Sequence, residues 1–161
     1  MTTTPAYEVL RLTKLAAELT DEECHVLAGL VTLRDLKQGE TLAQEGTVDN
    51  HLYVILRGTL GVIKSAGTAQ EVTINTLSTG DFVGEMGFMD GMELYASKVA
   101  LGDTQVLGLE REKLESLLTT HPVIVYRVMR AIIRVVHQIQ RRLSMQQVEL
   151  SNYIYKQHGR Y

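Results

Sequence analysis

Gly80-Asp-Phe-Val-Gly-Glu-Met-Gly-Phe-Met-Asp-Gly-Met-Glu-Leu-Tyr-Ala-Ser-Lys-Val99 is the stretch from which the rest of the chain can be read. It predicts a strand end at Asp81–Val83, a sharp Gly84-Glu85 turn, one short helical turn, a loop, and a new strand from Ala96. Gly84 lets the backbone turn tightly and lets a ligand approach it closely. The amides that open the helical turn, near Glu85, Met86 and Gly87, lack partners inside it and favour an anion. Glu85 can accept hydrogen bonds from ligand hydroxyls.

On either side of this stretch the pattern is one of short strands parted by glycine turns. Leu36–Leu42 and Gln44–Gly46 give a turn, a strand and a second turn, and Leu52–Ile63 gives two strands around a bend at Gly58. Gln70–Leu77 alternates Val72, Ile74 and Leu77 with polar residues, and Thr104–Leu109 alternates around Val106 and Leu109. Strands at this spacing, with no long helices between them, predict an antiparallel sandwich or barrel.

Phe82-Val-Gly-Glu-Met-Gly-Phe88, some ten residues before a small-residue pair and a strand, resembles the phosphate-binding cassette of cyclic nucleotide-binding domains. The spacing of Gly39, Glu45-Gly46, Tyr53-x-Ile55-x-x-Gly58 and Gly80 is similar to the β-roll of that family. The resemblance implies a mostly β fold, a double-stranded β-helix of jelly-roll type. N-terminal helices (1–32) precede the roll (33–110), and a short and a long helix (111–161) follow it, in one domain. It also implies that Val83, Gly84, Glu85, Met86, Tyr95, Ala96 and Ser97 line a site for a cyclic nucleotide or other small anion, with no cofactor. Ile139 and Gln140 of the long helix would roof the base.

One departure from the family is large. The loop of the family ends in an arginine that grips the phosphate, and that position falls on Tyr95, or on Leu94 with the shorter loop of kinase regulatory subunits. No Arg or Lys lies between Glu85 and Ser97. A charge-assisted hydrogen bond is worth roughly 1.5–3 kcal/mol and breaking a buried ion pair costs roughly 3–5 kcal/mol. The expected weakening is therefore about a hundred- to several-thousand-fold. Lys98 follows in the next strand, where alternation does not fix its facing.

The flanks are helical. Tyr7–Arg34 reads as helix, with a second start at Thr20, the expected N-cap, and Glu23 at the capping-box position. Arg111–Thr119 reads as a short helix ended near His121-Pro122. Pro122 to about Leu150 holds neither Gly nor Pro. Val125, Met129, Ile132, Val136, Ile139 and Leu143 recur there at 4-3-4-3-4 spacing, beside a second line of Ile124, Val128, Ala131 and Val135. A helix of about 29 residues extends roughly 43 Å, so one line is expected on the roll and the first line in a coiled-coil seam between two copies. Met129 and Met145 read as packing residues.

Composition narrows the function classes. The 161 residues fit one domain with a real core. Cys24 is the only cysteine, which excludes an internal disulfide and a cysteine-rich metal site and fits a reducing cytosol. No run is long enough to span a membrane, and Met1–Tyr7 lacks the apolar core of a signal peptide. His25, His51, His121, His137 and His158 are scattered singly, and no nucleophile–base signature or P-loop is present, so no catalytic or metal site is expected.

Met1–Thr120 carries nine Lys/Arg against eighteen Asp/Glu, whereas His121–Tyr161 carries seven against one. A basic helix can meet nucleic acid, but the favoured reading is that it lies on its own acidic domain. Ser151–Tyr161 is too short for a further folded domain, so direct reading of DNA is not expected. Three readings remain open. The first is a sensor with an altered ligand site, and the second is a dimeric scaffold whose pocket is filled by Tyr95, Leu94 or Met92 and which serves a protein partner. The third is a nucleic-acid partner using the arginines of the long helix.

Overall fold

The computed structural model describes residues 5–158. Met1–Thr4 and Gly159–Tyr161 lie outside that range. Helix α1 (Pro5–Arg11) and a 3-10 turn (Lys14–Ala16) lead into α2 (Asp21–Ala28). Thr20 caps α2 in a full capping box: its hydroxyl accepts from the Glu23 amide, and the Glu23 carboxylate accepts from the Thr20 amide. The second helix starts at Thr20 as expected, and the helical reading of Tyr7–Arg34 is corrected at its C-terminal end. The chain breaks between α1 and α2, and strand β1 (Val31–Leu36) already begins at Val31. Gly29 ends the helix, and the β-branched pair Val31-Thr32 enters register with Leu109 and Gly108.

Strands β2 (Thr41–Ala43), β3 (His51–Arg57), β4 (Thr59–Lys64), β5 (Val72–Ser78) and β6 (Phe82–Val83) follow. After α3 (Glu85–Asp90) come β7 (Ser97–Ala100) and β8 (Thr104–Glu110). The strands form two antiparallel four-stranded sheets, ordered β1-β8-β3-β6 and β2-β7-β4-β5. Gly58 carries β3 of one sheet into β4 of the other at φ 88°. A Cβ there would lie 2.5 Å from the Asp103 carbonyl oxygen, so only glycine fits this crossing.

Alternation sorts each strand's residues into two cores. Tyr53, Ile55, Val83 and Val106 fill the space between the sheets with Leu36, Leu42 and Leu60. Leu52, Val54, Phe82, Leu107 and Leu109 face the helices. The larger core therefore lies outside the sandwich, between the first sheet and the helical layer.

Helix α4 (Arg111–Glu115) passes through a 3-10 turn (Ser116–Leu118) to α5 (Pro122–His158). At 37 residues α5 is longer than the spacing predicts, and its helical tail includes Ser151–His158. The expected division of its two apolar lines is also corrected. Ile124, Val128, Ala131 and Val135 are buried, but so is Ile132, at 0 % exposure. Val125, Met129, Val136 and Ile139 pack partly against the same core. Of the six expected seam residues only Leu143 is exposed. The helix packs on both 3-10 turns and shares one apolar cluster with the N-terminal helices and the first sheet, a surface that covers a wider arc than one stripe. Met129 packs as expected, whereas Met145 is exposed.

The basic character of α5 is met within the chain. Arg127 pairs with Glu23 at 2.5 Å, Arg130 with Glu18 at 3.4 Å, and Arg134 with Glu18. Arg141 and Arg142, further along, are exposed and have no ion pair among the described residues.

Candidate functional site

β6 ends with Val83 inside the sandwich and Phe82 on the helical side, so the turn that follows is held from both faces. Gly84 adopts φ 79°, a left-handed conformation that side chains resist. A Cβ on it would come 2.9 Å from the His51 carbonyl oxygen of the neighbouring strand. Gly84→Ala is therefore expected to cost about 1–3 kcal/mol, read as a lower denaturant midpoint at unchanged slope. It should also displace Glu85. A wild-type midpoint for the alanine variant would show that the turn is not constrained.

α3 starts at Glu85 and is only six residues long. Phe88 is buried in the helical core and holds it down, and the Phe88 amide donates to the Gly84 carbonyl at 3.0 Å. Met86 faces solvent. The loop after α3 is tied to the β2–β3 connection: the Gly46 amide donates to Leu94 O at 2.8 Å, and the Leu94 amide donates to Thr47 O at 2.9 Å.

The loop then delivers Tyr95, Ala96 and Ser97. Ala96 and Ser97 are buried, and the Ser97 Oγ accepts the Glu45 amide at 3.0 Å. Lys64 of β4 donates to the Tyr95 carbonyl at 2.8 Å and pairs with Glu45 at 2.5 Å. That lysine and the Ser65 amide hold the Glu45 carboxyl below its usual range. Tyr95 and Met92, expected as plugs of the hollow, are 62 % and 67 % exposed. Neither is buried as a plug would be, and Leu94 is half-buried with its backbone committed to the loop.

Lys98 is the side chain that the loop reading left undecided. It is only 6 % exposed, as buried as its neighbour Ser97. β7 runs in unbroken register along β4, with Leu60 opposite Ala100 and Val62 opposite Lys98, so Lys98 shares the inward face of the core residue Ala100; the extra residue of the bulge lies in β2, where Thr41 faces Val99 and Ala43 faces Lys98. The Lys98 Nζ lies 5.0 Å from the centre of the Tyr95 ring. Glu85 is the charged group that acts on it: burial lowers the lysine's pKa, and Glu85 opposes the shift. Burial likewise raises the Glu85 pKa, against its own amide and the Lys98 charge. Lys98 is thus the link between the two stretches of the expected cradle, Val83–Met86 and Tyr95–Ser97: its Nζ lies near the Tyr95 ring and its charge acts on Glu85.

Ile139 and Gln140 are not brought to this cradle within the chain. Ile139 packs on the helical core, and Gln140 borders a shallow groove made by α5 alone, with His137, Arg141, Ser144 and Met145. Among the described residues no group of three or more His, Cys, Asp or Glu is placed to hold a metal ion. Cys24 is buried, which pushes its thiol pKa up. Among the described residues no helix is long and apolar enough to cross a membrane.

A family model described as "Cyclic nucleotide-binding domain" matches residues 33–121. The cyclic AMP receptor protein of Thermus thermophilus is 30% identical over 108 residues, covering 67% of this chain and 50% of the relative. Lysophospholipase NTE1 of Saccharomyces cerevisiae is 28% identical over 108 residues, 60% of this chain but 6% of that enzyme. The chain thus spans half or less of the length of these curated relatives. Among solved structures, a cyclic nucleotide-binding domain from Methylobacillus flagellatus superposes with a TM-score of 0.74 at 27% identity, covering 91% of this chain and 82% of that one.

Proposed function

This chain belongs to the cyclic nucleotide-binding domain family, and from that premise we propose that it is a non-enzymatic ligand-sensing module with an altered phosphate grip. Its ligand is a cyclic nucleotide or a closely related small anion. Val83, Gly84, Glu85 and Met86 form one wall of the site, and Tyr95, Ala96 and Ser97 form the other. The observation that supports this reading is the left-handed Gly84 turn, which opens α3 at Glu85, a carboxyl that interacts with the charge of Lys98 in β7. Glu85 is the acceptor for ligand hydroxyls, and Ser97 contributes its hydroxyl beside the backbone of the loop. Tyr95 stands where the resemblance puts an arginine and brings no guanidinium. Ile139 and Gln140 have no part in this proposal.

Sensing needs a path from the cradle to a surface that another molecule can read. Phe88 of α3 and Ile132 of α5 belong to one apolar cluster, so the cradle and the long helix share a core. The far half of α5 exposes Leu143, Leu150 and Tyr153 at heptad spacing. We place the contact with a second copy there. Arg127, Arg130 and Arg134 are engaged by Glu23 and Glu18, which argues against a nucleic-acid role for them.

Calorimetric titration of the chain with cyclic AMP and with cyclic GMP tests the proposal. Saturable one-to-one binding of at least one of them per chain is expected. No heat of binding from either at millimolar ligand would overturn it.

A further inference from the structure

We propose that Lys98, delivered by β7 and not by the loop, is the cation of this cradle and holds the single negative charge of a phosphodiester beside Glu85. The inference rests on reading the cradle as a ligand site and identifies the group that recognises the ligand's charge.

Three observations meet here. Lys98 is buried to 6 % exposure, yet among the described residues its ammonium makes neither a hydrogen bond nor an ion pair, only the contact with the Tyr95 ring. Among the described residues, every side-chain nitrogen or oxygen that is wholly sealed from solvent has a hydrogen-bond partner. Lys98 Nζ has none, so it keeps a face open to solvent. Its neighbours put that face in the cradle: the Tyr95 ring on one side at 5.0 Å, and Glu85 as the acting charge. An ammonium held in an apolar setting without a direct acceptor is costly, and an anion arriving at its open face relieves that cost.

The charge count selects the ligand class. The cradle offers one ammonium, with the Glu85 carboxyl alongside it. Lys64, the next cation, is already engaged by Glu45 and the Tyr95 carbonyl. A monoanionic phosphodiester matches one free cation. A dianionic phosphomonoester would leave a second charge facing Glu85.

The groups around Lys98 set the pH response. They are Glu85 of α3, Tyr95 of the loop, and beyond them Lys64 of β4 with Glu45. Burial lowers the lysine's pKa, so raising the pH removes its charge earlier than for an exposed lysine. The phosphodiester stays charged throughout, so affinity falls as the pH climbs towards the ordinary lysine range. An arginine in its place stays protonated there.

The experiment titrates wild type, Lys98→Gln and Lys98→Arg with cyclic AMP, cyclic GMP, 5′-AMP and adenosine, after checking that each variant melts cooperatively. Lys98→Gln should weaken binding of the cyclic nucleotide about 10- to 150-fold and leave adenosine unaffected. In wild type 5′-AMP should bind more weakly than cyclic AMP. Lys98→Arg should bind and lose the alkaline decline. A folded Lys98→Gln chain with wild-type affinity for the cyclic nucleotide would overturn this assignment alone. If the glutamine variant does not fold, an alkaline decline that persists unchanged in Lys98→Arg does the same. Failure of wild type to bind either cyclic nucleotide would overturn the functional reading, and this inference with it.

Discussion

Phe88→Ala is expected to lower the stability of the chain by about 3–5 kcal/mol, and its melting temperature by roughly 6–20 °C. Phe88 is 1 % exposed and packs in the helical core with Phe82, Leu52, Val54, Leu107 and Leu109. Removing the ring deletes its transfer energy and leaves a cavity that rigid strand residues cannot close. The loss is a large part of the roughly 5–15 kcal/mol that holds a domain together. It should fall hardest on the cradle. A six-residue helix cannot sustain itself in water, and the buried ring is what fixes α3 and the Glu85 at its start. Ligand binding should therefore be lost at temperatures where the sheets are still folded, by circular dichroism and titration on one sample. Phe88→Leu, which keeps most of the volume, should cost under about 1.5 kcal/mol. Equal melting temperatures for the alanine variant and wild type would show that α3 is anchored elsewhere.

The cradle's backbone was legible in the sequence because glycine chemistry is local. Gly84 before Glu85, and Gly58 between two apolar runs, each demand a conformation that other residues resist, and both hold positive φ. Thr20 and Glu23 were legible for the same reason, since a capping box is closed within four residues. The charge of the cradle was not legible. Lys98 points inward because β7 keeps a regular register on β4, which places it two residues from the core residue Ala100, and that register joins segments far apart in the sequence. Counting outward from Tyr95 cannot recover it.

The long helix was legible only in part. Its heptad spacing is real, but spacing alone does not say which molecule covers a stripe. Burial of Ile124, Val128, Ile132 and Val135 turns one line and part of the other into the chain's own core, and Arg127, Arg130 and Arg134 meet Glu23 and Glu18 beside it.

Ile132→Arg and Leu150→Asp, two changes on one helix, should therefore behave differently. Ile132 has no exposed surface, and its neighbours in the cluster include Val128, Val135 and Phe88. A guanidinium there forfeits roughly 1.5–3 kcal/mol of apolar burial and adds a desolvation penalty of several kcal/mol. The variant should be largely unfolded or insoluble, whatever its state of association. Leu150 is 60 % exposed and lies beyond the part of α5 that the core covers. An aspartate there should change the stability of the single chain by no more than about 0.5 kcal/mol. It should nevertheless place like charges across a seam built from Leu143, Leu150 and Tyr153. Sedimentation equilibrium should show a dimer for wild type and a folded monomer for Leu150→Asp. A folded Ile132→Arg chain that sediments as a monomer would return the seam to the proximal half of the helix. A Leu150→Asp chain that remains a dimer would remove it from the distal half.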